Sequence, residues 1–295
     1  MKMEVQIVSK EDVKPSIPTS PHLRTFQLSL LEQLMPPHSY APIVLFYPMN
    51  KSSTHLDVTK RLKLLKTSLS ETLTLFYPLA GKIENELSID CNDEGANFVE
   101  TRVNCCLDEF LIQPDLMLIN KFLPFPLIVK ESAEKIYVTN IQANVFECGG
   151  IAIGICISHK ILDGAALSTF IKGWTTTARP CKEVVYPKFT AASLFPANDL
   201  WLRDSSEALW GSFFRKGDCI TRRLVFDASA IDKLKEKATC SVMKCPTRVE
   251  AVSAFLWKSA VAASAEFESS YKNGTILVKK FVGKLPLDIT CRIHS

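Results

Sequence analysis

His159 stands just past the longest apolar run in the chain, Ile151 to Ile157, and is followed four residues later by Asp163 and then Gly164. An imidazole titrates near neutral pH. One that is held by its neighbours, with a ring nitrogen open to a substrate, is what general-base catalysis requires. The plainer reading of H-x-x-x-D is a histidine that ends a strand and an aspartate that caps the next helix. Which reading holds depends on what surrounds the pair.

Ile151, Ile153, Ile155 and Ile157 alternate with Ala152, Gly154, Cys156 and Ser158, which predicts a buried strand with one flat side. The period then changes: Leu167, Phe170, Ile171 and Trp174 fall on one helical stripe. Residues 136–146 predict a partner strand that turns back through Gly149-Gly150, placing His159 at a sheet end. His22 and His38 fall in irregular, proline-rich parts and are read as structural.

Other chemistries lack their residues. There is no G-x-S-x-G elbow to expose a serine, and neither a P-loop nor G-x-G-x-x-G to cradle phosphates. A metal held by His159 and Asp163 would need a third ligand, and the chain has no H-E-x-x-H and no cysteine cluster, so no metal is expected. A net charge of +4 from 35 basic and 31 acidic residues, without a dense basic block, gives no reason to expect nucleic-acid binding. No run approaches the roughly 20 apolar residues that cross a bilayer, and the charged N-terminus does not read as a targeting peptide. A cytoplasmic protein is expected, its ten cysteines reduced and mostly buried.

With 295 residues, 47% of them hydrophobic, the chain can bury a substantial core in one large or two ordinary domains. In order, the pattern predicts a short strand at 5–8, a strand at 43–47, and a helix from Val58 with Lys60, Arg61, Lys63 and Lys66 on its wet side. A helix over 104–121 should be interrupted near Pro114. After Ala178 the period dissolves for some forty residues. Structure should resume with a strand at 221–226, a short helix opened by Ser229, a helix capped by Thr247-x-x-Glu250, and a strand at 275–282.

Five segments in order carry a family resemblance: Pro15-Ser16-Ile17-Pro18-Thr19 with Leu28-Ser29-Leu30-Leu31-Glu32-Gln33; Phe76-Tyr77-Pro78-Leu79-Ala80-Gly81-Lys82; Asp90-Cys91-Asn92-Asp93-Glu94-Gly95 with Phe98-Val99-Glu100; Phe146-Glu147-Cys148-Gly149-Gly150; and His159 to Gly164. Together they resemble the plant BAHD acyltransferases, in spellings similar to the vinorine synthase-like branch. The resemblance covers about residues 1–280; the family's N-L-R and D-F-G-W-G segments have no counterpart, so the chain is read as C-terminally truncated.

The resemblance implies a mixed α/β, chloramphenicol acetyltransferase-like two-domain fold. Residues 1–180 would form the domain carrying H-x-x-x-D, 181–220 a crossover loop, and 221–295 the beginning of an incomplete second domain. It implies acyl transfer from acyl-CoA, here acetyl-CoA, to a hydroxyl of an alkaloid or other specialised metabolite, with no permanently bound cofactor. His159 would be the general base, Asp163 a structural residue turned from substrate toward a cationic partner, and Gly164 a permissive start to the helix. Tyr40 would contact the acceptor, and the protein would be monomeric. The alternative is a shortened family member that binds a partner or small molecule and catalyses nothing.

Overall fold

The alternating isoleucines and the stripe after them form a strand and a helix, Ile151–Ser158 and Gly164–Thr177. They belong to a computed structural model that describes residues 3–35, 39–49, 55–84, 87–124, 137–179, 184–197, 223–240 and 244–270. The chain divides into two units, Met1–Asp218 and Cys219–Ser295. In the first the elements are β1 (Val5–Val13), β2 (Thr25–Gln27), α1 (Leu30–Gln33), β3 (Tyr40–Tyr47), α2 (His55–Leu75), β4 (Lys82–Ile83), β5 (Ser88–Asp90), β6 (Ala96–Val103), α3 (Leu107–Ile112), α4 (Leu116–Ile119), β7 (Thr139–Phe146), β8 (Ile151–Ser158), α5 (Gly164–Thr177) and α6 (Ala191–Leu194). The second holds α7 (Ala228–Ala238) and α8 (Arg248–Ser270).

Five strands make a mixed sheet in the order β1-β6-β7-β8-β3, with β6 and β7 parallel and the other neighbours antiparallel. On one face, Leu69 and Leu73 of α2 and Phe170 and Trp174 of α5 pack on the β8 isoleucines and Ile141. On the other, Leu107, Phe110, Phe122 and Phe146 cluster around Ala152. Strand β8 is therefore covered on both faces, which is why its sequence is apolar on both alternates up to the terminal Ser158. Its small-residue side is flat because the turn Asn120–Phe122 lies on it: a Cβ on Gly154 would stand 1.9 Å from the Phe122 carbonyl oxygen. Polar residues of β7 hold that turn, Gln142 donating to the Lys121 carbonyl (2.9 Å) and Asn144 to the Phe122 carbonyl (3.0 Å).

Several expected boundaries move. Strand β1 runs on to Val13 through Lys10, Glu11 and Asp12, because an edge strand takes its length from the β6 ladder rather than from its own apolar residues. Strand β3 begins at Tyr40 and includes Pro42, which an edge position tolerates because no N–H is missed there. Helix α2 ends at Leu75, ahead of Pro78, which sits in the following 3₁₀ turn. Residues 223–226 are not a strand, and α7 is opened by the Asp227 side chain, which accepts from the Ala230 N–H (2.7 Å), rather than by Ser229. The reciprocal cap of Thr247 and Glu250 opens α8 as expected. His38, Ile136, residues 221–222 and the strand expected at 275–282 lie outside the described residues.

Two surface expectations also change. Lys60 and Lys63 are exposed, but Lys66 turns to the sheet and pairs with Glu11 (2.7 Å) and Glu100 (2.8 Å), and Arg61 donates to the Gly149 carbonyl (3.2 Å). Of the described cysteines only Cys91 and Cys156 are buried, while Cys240 and Cys245 are exposed. Among the described residues no helix is long and apolar enough to cross a membrane, and no cluster of three or more His, Cys, Asp or Glu could hold a metal ion.

Candidate active site

Strand β8 ends at Ser158, and the His159 N–H donates to the Ser39 carbonyl just before β3 (2.7 Å), so the ladder holds the histidine backbone one residue past the strand. The chain turns back through residues 159–161, the Ile161 N–H donating to the Ser158 carbonyl (3.3 Å). Leu162 plugs the core, and Asp163 starts α5. That helix is anchored by Trp174, whose indole N–H lies 3.1 Å from the Leu65 carbonyl and 3.0 Å from Ser68 Oγ of α2. His159 is thus a half-buried side chain on a short turn between two elements fixed in the core.

Asp163 does what an N-cap does: its Oδ1 accepts from the Ala166 N–H at 2.8 Å. The residue is exposed, and among the described residues no salt bridge reaches it. Gly164 is the first helical residue and is not among the glycines with positive φ.

The turn forms one wall of a cavity of about 490 Å³, a size suited to a small-molecule ligand. His159, Lys160 and Asp163 meet there with Phe26, Leu31, Met35, Phe76, Leu79, Phe170 and Phe189, so a few polar groups face a mostly apolar space. Phe189 comes from the irregular stretch before α6 and packs edge-on against Phe26 and Tyr77 (5.5 and 5.3 Å between ring centroids). Glu32 of α1 also lines the cavity. Burial raises its carboxyl above the usual range, opposed in part by hydrogen bonds from Ser29 and by the charge of Lys160.

Tyr40 does not line this cavity. It pairs with Ser158 across the ladder, but its hydroxyl donates to the Tyr137 carbonyl (2.8 Å), and burial pushes the phenol up to about 12. The residues missed from the sequence are Glu32, Lys160 and Phe189. A signal existed for the first, because Ser29-x-x-Glu32 has the capping-box spacing. None existed for Phe189.

The other motif segments hold the scaffold. Thr19 donates through its N–H (3.0 Å) and hydroxyl (2.6 Å) to Asp93, which also pairs with Arg24 (3.2 Å). Phe76 meets Phe170 edge-on at 5.5 Å. Asp93 adopts φ 58° and Gly95 φ 96°, a left-handed turn of the kind the Asn-Asp-x-Gly spelling favours.

A family model described as the Transferase family matches residues 3–280. The chain is 44% identical over 277 residues to epi-neemfruitin B 7-O-acetyltransferase of Melia azedarach, covering 88% of this chain and 60% of that protein. It is 43% identical over 288 residues to limonoid 7-O-acetyltransferase of Citrus sinensis, covering 92% and 62%. Its fold matches the crystal structure of vinorine synthase with a TM-score of 0.71 at 34% identity, over 91% of this chain and 62% of that one. The chain thus spans about six-tenths of the length of these relatives. With the motif order, the mixed sheet and the H-x-x-x-D-G turn all in agreement, the chain belongs to the Transferase family, the BAHD acyltransferases, in their vinorine synthase-like branch.

Proposed function

We propose that this chain carries the general base of an acyl-CoA-dependent O-acyltransferase, transferring acetyl from acetyl-CoA to a hydroxyl of an alkaloid, a limonoid or a similar polycyclic alcohol. The observation that carries the reading is the placement of His159, half-buried on a core-anchored turn in the wall of a largely apolar cavity. The O-acetyltransferase names of the relatives support the reaction class.

The acceptor enters hydroxyl first, its apolar rings against Phe26, Phe76 and Phe170. His159 takes the hydroxyl proton as the oxygen attacks the thioester carbonyl, so that the C–O bond forms and the C–S bond breaks. The imidazolium then returns its proton to the departing CoA thiolate. No acyl-enzyme is needed. Asp163 does not touch the reacting atoms in this scheme; it fixes the start of α5 and with it the turn that bears His159.

The test is thiol release from acetyl-CoA with a panel of alkaloid and triterpenoid alcohols. His159→Ala is expected to lower the rate by about 10² to 10⁴-fold with the fold retained, because the change removes a base rather than core volume. A His159→Ala protein within a few-fold of the parent would remove the residue from the mechanism.

A further inference from the structure

The four phenylalanines in the lining of the His159 cavity are not equally fixed. Phe26, Phe76 and Phe170 are buried members of the core, where trading a ring for a smaller side chain destabilises the fold. Phe189 is 38% exposed and lies outside that cluster of buried residues, on the irregular stretch before α6. The stretch is nonetheless held at two points. Val185 packs against the core on one side of Phe189, and on the other the Phe195 carbonyl accepts from the Leu30 N–H at the start of α1 (2.9 Å). Between these anchors Phe189 meets Phe26 and Tyr77 edge-on, and Pro187 and Ala191 beside it also face the cavity. This wall is a tethered backbone carrying a ring that the core does not enclose.

We infer that Phe189 is a specificity-determining residue that limits the bulk of the acceptor skeleton: its ring takes up space in the cavity wall that a larger ring system would need. The inference rests on the reading of this cavity as the acceptor site. A volume of about 490 Å³ lies in the lower half of the range for small-molecule sites, roughly 300 to 1,000 Å³, so one aromatic ring is a material part of its capacity. A close-packed apolar wall excludes an oversized group, because overpacking forces neighbouring side chains off their rotamers. The other three phenylalanines cannot shrink without opening a hole in the core. Position 189 is therefore where acceptor size can be adjusted while the turn bearing His159 stays in place.

The test uses the whole chain, comparing the parent with Phe189→Ala, Phe189→Leu and Phe189→Trp, and with Tyr186→Ala as a control on the same stretch but outside the cavity lining. Calorimetry gives Kd for a bicyclic alcohol, decahydronaphthol, and for a tetracyclic steroid alcohol, and thiol release from acetyl-CoA gives kcat/KM for the same two. A single methylene in an apolar pocket is worth about 10- to 200-fold in discrimination, so Phe189→Ala is expected to move the Kd preference at least about tenfold toward the tetracyclic alcohol. Phe189→Leu should move it the same way, Phe189→Trp the opposite way, and Tyr186→Ala not at all. Circular dichroism checks that each variant is folded, and Phe189→Leu carries the comparison if the alanine variant is not. A preference that stays within about twofold of the parent in the folded variants, a small fraction of what one methylene supplies, overturns the inference. A change confined to acyl-CoA chain length, or a parent that binds neither alcohol, overturns it too. Binding that shifts as expected with no thiol release removes the general-base reading and leaves the size limit standing, whereas transfer with an unchanged preference does the reverse.

Discussion

Gly154→Ala puts a methyl group where the Phe122 carbonyl oxygen now lies, 1.9 Å from the new Cβ. An ordinary C···O contact is at least about 3.3 Å, so one partner must retreat by about 1.4 Å. Strand β8 is held by ladders to β7 and β3, whereas the Asn120–Phe122 turn is tied to the sheet by side chains, so the turn is expected to yield. Overpacking of this kind costs about 1 to 3 kcal/mol. Displacing the turn also weakens the hydrogen bonds from Gln142 and Asn144, each contributing about 1 kcal/mol net, and loosens Phe122 from Phe110 and Phe146. The sum is a loss of about 3 to 5 kcal/mol, a fall in melting temperature of roughly 10 °C for a unit of this size. Urea and thermal unfolding followed by circular dichroism measure it, and the diethyl pyrocarbonate reactivity of His159 should stay at the parent value. Stability within about 0.5 kcal/mol of the parent, the range of neutral surface changes, would refute the close approach. A stable strand with altered His159 reactivity would refute the assignment of the turn as the part that yields.

Asp163→Ala should lower stability by about 1 kcal/mol through the lost cap, and Asp163→Asn by only a few tenths of that amount, since Asn also caps; equal losses in thermal unfolding would show that charge, not capping, is what Asp163 supplies. At pH 8, iodoacetamide should label Cys240 and Cys245 in the native protein and leave Cys91 and Cys156 unlabelled, because burial pushes both of those thiols up to about 12. Unfolded thiols ionise near pH 8.5, so the unfolded state binds fewer protons above that point and stability should fall as pH rises toward 12, by up to about 1.4 kcal/mol per pH unit for each buried thiol. A denaturation midpoint flat from pH 8.5 to 11 would contradict the burial of these two residues.

The elements that carry their own period are legible in the sequence: the isoleucine strand, the Leu167 to Trp174 stripe, the hairpin through Gly149-Gly150, and the Thr247 cap. Edges are less so. The polar tail of β1 and the proline in β3 are strands because a neighbour offers them hydrogen bonds, which local sequence does not record. Lys66 reads as solvated because helix periodicity separates faces and cannot tell which face meets a pair of sheet carboxylates.

By itself the sequence determined the chemistry on offer: one histidine at the end of an apolar strand, an aspartate at capping distance from it, and motif segments spelling a family. These are short-range properties, set by side-chain type and by separations of a few residues. Tertiary structure alone decided what faces that histidine. Phe26, Glu32, Phe76 and Phe189 come from four stretches of the chain and meet at one cavity wall, while the Tyr40 hydroxyl is taken up by a backbone carbonyl. Long-range packing selects among the many partners that local pattern leaves equally open, and so the environment of His159 had to be found in the fold.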